Sequence, residues 1–336
     1  MKIFVLGPCA AESCDQVLET AESLNSQLST LNFIYRAGIW KPRTSPSSFQ
    51  GVGESGLPWL QEVQERYHLP VATEVATPDH VQAAMRAHIP YLWIGARTSA
   101  NPIAVQAIAD AISALPYEGK AGIESVLIKN PVNEDVNLWI GNVERLQAAG
   151  VKVMAVHRGC NHTPCWSMAF ELRRRMPDIP LLLDPSHMSG KAAEVPALCQ
   201  LAMDLNYDGL MIEIHAHPEQ ALSDAQQQLT PAQAIDIISH LHYRTGEADL
   251  TELRSEIDEV DDKLWSLIAQ RLQIAKRIGA YKSERNLPVL QPERYNEILL
   301  KRLEWAKKNG IPQDTVQSVM EALHSASVKE QLTPLS

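Results

Sequence analysis

Eight times between residues 1 and 246 the chain repeats one pattern: a short apolar run rich in β-branched residues, a cluster of polar or turn residues, then a stretch with apolar side chains at helical spacing. The runs are IFVLG (3–7), FIYRAG (33–38), LPVATEV (69–75), YLWIG (91–95), SVLIKN (125–130), VKVMAV (151–156), LLLDPS (181–186) and GLMIEI (209–214). Strands that are apolar throughout are buried on both faces, as in a parallel sheet covered by helices. Eight of them alternating with eight helices predict a (β/α)8 barrel over residues 1–245. A doubly wound open sheet is the alternative, disfavoured because no G-x-G-x-x-G turn follows the first run.

In such a barrel, chemistry gathers just beyond the C-terminal ends of the strands. The polar residues obey that demand. Cys9 follows the first run, RAGIWKPRTSP (36–46) the second, and Glu74 sits at the third. Arg97 follows the fourth and Lys129 ends the fifth. His157 and Arg158 close the sixth, His187 follows the seventh, and Glu213, His215 and then Asp224 belong to the eighth. Arg36, Lys41, Arg43, Arg97, Lys129 and Arg158 would repel one another on one rim unless a polyanion sat among them; ion pairing is expected to absorb one or two. Arg forks and a Lys point charge together suit a phosphate-rich substrate. Cys9, His187, Glu213 and Asp224 meet at the neighbouring mouths of strands one, seven and eight, a mixed set suited to a divalent transition metal without selecting Mn, Fe, Zn or Co.

A net charge of −10 argues against nucleic acid and acidic membranes as partners. No run reaches membrane-spanning length and the N-terminal apolar stretch is too short for a signal peptide, so a cytoplasmic protein is expected. Five cysteines at irregular spacing make no disulfide framework.

After Arg244 the rhythm ends. Beyond a linker, Asp249 and Glu252 have the spacing of a capping box, and apolar residues from Leu250 to Tyr281 at helical spacing predict one helix of about 35 residues, roughly 50 Å long. Pro292 opens a second helix that Gly310 ends, and a third runs from about Gln313 to Gln331. Three helices cannot bury so long an apolar stripe within one chain, so residues 248–336 are expected to form a dimeric helical domain.

The motifs GPCAAES, RAGIWKPRTSP, IGARTS, HRG, DPSH and GLMIEIHAHPEQALSDAQQQL resemble the type I beta 3-deoxy-D-arabino-heptulosonate 7-phosphate (DAHP) synthases. That resemblance implies a metal-dependent condensation of phosphoenolpyruvate with erythrose 4-phosphate. It places the metal on Cys9, His187, Glu213 and Asp224, and phosphoenolpyruvate on Arg36, Lys41, Arg97, Lys129 and Arg158. Lys41, Pro42, Arg43 and Thr44 would shape the sugar phosphate site, Lys41 would stabilise or protonate the new alkoxide, and Glu74 would position the water that adds to the enol. A sister family making 3-deoxy-D-manno-octulosonate 8-phosphate typically has KANRSS where this chain has KPRTSP.

LRSEIDEVDDKLWSLIAQRLQIAKRIGAYK resembles the all-helical chorismate mutases, which convert chorismate to prephenate. Arg254 and Arg271 would bind the two carboxylates, the first reaching across from a second subunit. Lys282 and Gln331 would donate to the ether oxygen, with Arg294 and Ser327 completing the site. Tyr295 and Gln291 stand where that family commonly has acids, which predicts reduced affinity or rate. With the chain starting at the first strand, prephenate acting through the tail is the expected control of the synthase. A degenerate mutase kept as sensor or dimerisation module is the alternative; a plain metal-binding barrel is a third reading.

Overall fold

The computed structural model describes residues 2–28, 31–43, 45–116, 119–120, 122–244, 246 and 248–333, so Thr44 lies outside the described residues. Two units emerge, Met1–Thr245 and Gly246–Ser336.

In the first, strands β1 (Ile3–Gly7), β2 (Ile34–Arg36), β3 (Val71–Glu74), β4 (Tyr91–Ile94), β5 (Ser125–Lys129), β6 (Val153–His157), β7 (Leu181–Leu183) and β8 (Gly209–Glu213) pair in sequence order, all parallel, and β8 closes on β1. The expected eight-stranded barrel is the observed fold. Around it lie α1 (Cys14–Gln27), α2 (Leu57–Tyr67), α3 (Pro78–Arg86), α4 (Ala96–Ser99), α5 (Pro102–Ser113), α6 (Val136–Ala148), α7 (Trp166–Arg175), α8 (Pro185–Ser189), α9 (Val195–Asp204) and α10 (Pro231–Ser239). Their starts follow local chemistry. Ser13, Thr77, Asn101, Asp135 and Thr230 each accept from an orphan backbone N–H of the first turn, and Thr230 and Gln233 form a full capping box before Pro231.

The barrel interior is filled by one buried residue from each strand: Val5, Ile34, Ala72, Trp93, Leu127, Val156, Leu182 and Met211. A second, larger core lies between strands and helices. Because side chains alternate along a strand, the residues two positions beyond the inner layer face the same interior, one step closer to the mouth. Those residues are Gly7, Arg36, Glu74, Gly95, Lys129, Arg158, Asp184 and Glu213. Three cations, three carboxylates and two glycines thus cap the apolar layer. The glycines leave space for their neighbours: a Cβ at Gly7 would lie 2.2 Å from the Arg36 carbonyl oxygen, and one at Gly95 would lie 2.1 Å from Glu74 Oε1.

The second unit is helical: α11 (Thr251–Glu284), α12 (Pro292–Lys308) and α13 (Gln313–Leu332). The expected capping box at its start does not form. Asp249 instead accepts from Thr251 N (2.9 Å) and Oγ1 (2.6 Å), and the helix begins after Leu250 with no side-chain cap. The threonine hydroxyl competes successfully for the carboxylate two residues away. α13 packs along α11 and against α12. Gly279 permits the closest approach, since a Cβ there would meet the Gln331 backbone at 2.5 Å. Leu253, Ile257, Val260, Leu264 and Leu267 on α11 remain at least half exposed.

Candidate functional site

At the barrel mouth a cavity of about 260 Å³ is lined by Lys41, Pro42, Arg43, Glu74, Arg97, Lys129, Arg158, His187 and Asp224 from the predicted set, together with Gly95, Ala96, Val132, Asn161 and His162. Beside it, Cys9, His187, Glu213 and Asp224 each bring one ligand atom within 4.8 Å of the others. Cys9 and Glu213 are fully buried, whereas His187 and Asp224 are partly open.

The cation ring is not unmatched, contrary to expectation. At least four of the six cations are paired, by acids that come from strand mouths and from the loop after β8. Arg36 donates to Glu213 at 3.0 Å with both side chains wholly buried. Lys41 donates to Glu74 at 3.2 Å and to the Cys9 carbonyl at 3.1 Å. Arg43 grips Asp224 through Nη1 and Nη2, both at 3.2 Å to Oδ2. Lys129 donates to Asp184 at 2.7 Å. Arg36 does not line the cavity. Its guanidinium lies beneath, 4.8 Å over the Trp93 ring, with Nε and Nη1 buried and without hydrogen-bond partners among the described residues.

Asp184 is the site residue that the motif reading passed over. Besides Lys129 it accepts from the backbone N of His187 (3.0 Å) and sits 2.9 Å from His187 Nδ1, which leaves Nε2 facing Glu213 Oε1 at 3.5 Å. A carboxylate behind an imidazole fixes the ring and raises its basicity. Gln227 and Gln228 were also missed: the first donates to Glu213 at 2.7 Å, and the second accepts from Cys9 N at 3.0 Å. His157 and His215, noted at the mouths, do not line the cavity. His157 is buried among Trp139, Trp166 and Tyr207, bonded to the Tyr207 hydroxyl at 2.8 Å, and burial lowers its pKa to about 4. His215 is buried 3.7 Å from Glu12.

Burial pushes the Cys9 thiol well above its usual range, with Glu213 and Asp224 adding to the effect. Burial also lowers the His187 pKa and favours the neutral imidazole. For Asp224 burial works against the charge, yet its carboxyl is held well below the usual range, by His187 when that ring is protonated and, with it neutral, by the Cys9 thiol and Arg43. Burial opposes the Lys41 charge as well, but Cys9, Glu74 and Glu213 raise its pKa; with the Cys9 thiol protonated, the two carboxylates do the holding. One thiol, one neutral imidazole and two ionised carboxylates converging on a point fit a divalent transition metal, whose charge would reverse the penalty on the Cys9 thiolate.

The profile of the DAHP synthetase I family matches residues 1–246. The chain belongs to the DAHP synthetase I family. That of chorismate mutase type II matches residues 253–332. The chain is 31% identical over 234 residues to a phospho-2-dehydro-3-deoxyheptonate aldolase of Thermotoga maritima, a match covering 67% of this chain and 64% of that protein. The Thermotoga maritima DAHP synthase crystal structure superposes with a TM-score of 0.61 at 26% identity, covering 71% of this chain and 67% of the other. The tail is 41% identical over 81 residues to a bifunctional chorismate mutase/prephenate dehydratase of Aquifex aeolicus, 23% of this chain and 22% of that one. A DAHP synthase domain is thus followed by a chorismate mutase domain. No described helix is long and apolar enough to cross a membrane.

In the mutase domain a second cavity, of about 370 Å³, gathers Arg271, Lys282, Arg294, Ser327 and Gln331 from the predicted set. Arg271 donates to Ser327 Oγ and to the Leu323 carbonyl at 3.0 Å, and Lys282 donates to the Val289 carbonyl at 2.8 Å. Gln331 Oε1 is buried without a hydrogen-bond partner among the described residues. The Tyr295 and His324 rings lie tilted at 33° with centroids 4.2 Å apart on the cavity wall, and among the described residues no carboxylate lines it. Arg254 is exposed and outside this cavity.

Proposed function

We propose that residues 1–245 condense phosphoenolpyruvate with erythrose 4-phosphate to DAHP, and that residues 248–336 rearrange chorismate to prephenate. The observation that carries the first assignment is the cavity at the strand mouths, where Lys41, Arg97, Lys129 and Arg158 share one space beside the Cys9–His187–Glu213–Asp224 cluster. Arg97, Lys129 and Arg158 bind the phosphate and carboxylate of phosphoenolpyruvate, while Arg36 acts from below by keeping Glu213 ionised and fixed. Cys9, His187, Glu213 and Asp224 would hold a divalent metal, which would supply a Lewis acid beside the aldehyde. As the enol carbon of phosphoenolpyruvate bonds to the aldehyde carbon, Lys41 delivers a proton to the alkoxide. Glu74, 3.2 Å from Lys41, orients the water that adds to the second carbon before phosphate leaves. Consumption of phosphoenolpyruvate with stoichiometric phosphate release, abolished by a chelator and restored by Mn, Fe, Zn or Co, tests this reading. Turnover undiminished in excess chelator rejects the metal.

In the mutase, Arg271 and Arg294 hold the substrate carboxylates within one chain, and Lys282 and Gln331 face the ether oxygen. A unimolecular rearrangement needs only a compact conformer and stabilised charge. The exposed apolar stripe from Leu253 to Leu267 is covered by a second copy, which carries Arg254 into the cavity of its partner. Sedimentation of wild type as a monomer at assay concentration would remove this assignment; Ile257→Glu should dissociate the dimer and lower mutase activity. Prephenate is the proposed feedback ligand, and synthase rates unchanged at saturating prephenate would exclude it. That no acid lines the cavity among the described residues favours a second reading, a mutase degraded to a sensor. Chorismate turnover by residues 248–336 separates the two.

A further inference from the structure

We infer that His80 is a positioning residue for the synthase reaction: its ring ties the loop that carries Lys41 to the segment that carries Glu74 and so fixes the Lys41–Glu74 pair, a role that rests on the synthase reading of the barrel. Up to Ile39 the chain leaving β2 is joined directly to β3. Ala37 N donates to the Ala72 carbonyl at 3.1 Å, and Thr73 Oγ1 donates to the Ala37 carbonyl at 2.9 Å while accepting from Ile39 N at 3.3 Å. That ladder stops short of Lys41. Besides the Lys41–Glu74 pair itself, the next link between the two segments is aromatic. The Trp40 and His80 rings lie face to face, with centroids 4.1 Å apart and planes 6° from parallel.

His80 is itself fixed at two points. Its backbone N donates to Thr77 Oγ1 at 3.3 Å in the cap of α3, and its Nδ1 accepts from Ala76 N at 3.2 Å. Ala76 stands two residues beyond Glu74, so the imidazole is bound to the segment that leaves β3 with that carboxylate. An Nδ1 that accepts carries no proton, which places the ring proton on Nε2. Burial lowers the His80 pKa and favours this neutral form, against the charges of Asp79, Glu74 and Glu54. On the other side of the stack Trp40 is buried, and its neighbour Lys41 donates from the backbone N to the Gln50 carbonyl at 2.9 Å. Gly51 makes that fold of the loop possible, since a Cβ there would lie 2.1 Å from the Ile39 carbonyl oxygen.

Neither Trp40 nor His80 lines the barrel-mouth cavity, so their influence on the reaction passes through Lys41 and Glu74. The two contacts of the His80 ring act in series. Ala76 holds the imidazole, the imidazole holds the indole, and the indole holds the backbone from which Lys41 reaches Glu74 and the Cys9 carbonyl. Loss of either contact frees the lysine-bearing loop from the carboxylate-bearing segment. A proton donor displaced by about 1 Å loses on the order of 10²-fold in rate. The groups placed on phosphoenolpyruvate, Arg97, Lys129 and Arg158, stand on other strands and keep their own supports.

Steady-state kinetics of the intact chain with phosphoenolpyruvate and erythrose 4-phosphate tests the proposal. His80→Ala removes both contacts, His80→Phe keeps a ring for the stack without the acceptor, and His80→Asn keeps an acceptor without the stack. His80→Ala should lower synthase kcat about 10–100-fold while both KM values change little, and each conservative variant should recover part of the loss. Trp40→Leu should lower kcat to a similar degree. In that background His80→Ala should add little, because residues that act through one contact are not additive. A role confined to bracing α3 would instead multiply the two losses. Multiplied losses, a change in KM alone, or wild-type kcat in His80→Ala would overturn the inference. If His80→Ala does not fold, wild-type kcat in both His80→Phe and His80→Asn overturns it equally. Wild type that fails to turn over the two substrates would instead overturn the synthase reading, and the role of His80 with it.

Discussion

Asp184→Asn keeps the shape of the side chain and removes the charge that faces both Lys129 and His187. Lys129 is only 4% exposed, and burial already lowers its pKa against the pull of Asp184. With the carboxylate gone, the ammonium has no compensating charge within hydrogen-bond reach, and losing its proton is its cheapest response. Neutralising a lysine of ordinary pKa at pH 7 costs about 4–5 kcal/mol, from a pKa of about 10.4 and about 1.4 kcal/mol per pH unit. That is a ceiling on destabilisation, close to the roughly 3–5 kcal/mol for breaking a buried ion pair. The sign with pH follows. A lysine whose folded pKa falls below its unfolded value destabilises the fold at low pH, and the penalty shrinks as pH rises toward the unfolded pKa. The gap in urea stability between wild type and Asp184→Asn, measured with chelator present, should therefore narrow between pH 7 and pH 8.5 by up to about 1.4 kcal/mol per unit. A gap that stays constant over that range would refute a buried-charge origin. Metal titration gives a second readout. Loss of the carboxylate behind His187 should weaken metal binding by roughly 10–100-fold.

Cys9→Ala should abolish metal-restored synthase turnover while leaving chorismate turnover measurable, checked by paired assays on one preparation; full synthase activity would end the ligand assignment. Arg271→Ala should lower mutase kcat/KM by about 10²–10³-fold, the scale for a lost charge-stabilising donor, and synthase turnover without prephenate serves as the folding control. His157, buried with a pKa near 4, binds its proton more readily in the unfolded chain. Falling pH between about 6.5 and 4 should therefore cost the barrel about 3 kcal/mol at this residue. His157→Gln should flatten that part of the stability profile, and identical acid profiles would count against the account.

The barrel was legible because its signals are local. Continuous apolar runs, turn clusters and helical spacing repeat eight times, and each strand ends within two residues of the predicted boundary at most sites, as at Ile3–Gly7 and Ser125–Lys129. That Cys9, His187, Glu213 and Asp224 come together was legible from their strand positions. Asp184 was within reach by the same alternation, two residues beyond Leu182, but the histidine of DPSH drew the reading instead. The Asp249–Glu252 cap failed because spacing does not rank competing donors, and Thr251 stood nearer. Gln227, Gln228, Asn161 and His162 lie in loops whose course no periodicity describes.

By itself the sequence determined which residues stand at the strand mouths, since side-chain alternation and the order of strands are properties of neighbouring residues. Only the tertiary structure decided how those charges are spent. Arg36 meets Glu213 across 177 residues, Arg43 meets Asp224 across 181 and Lys129 meets Asp184 across 55. Such partners exist only once the barrel closes, because a Coulomb interaction depends on distance in space and burial, neither of which is written in the spacing along the chain.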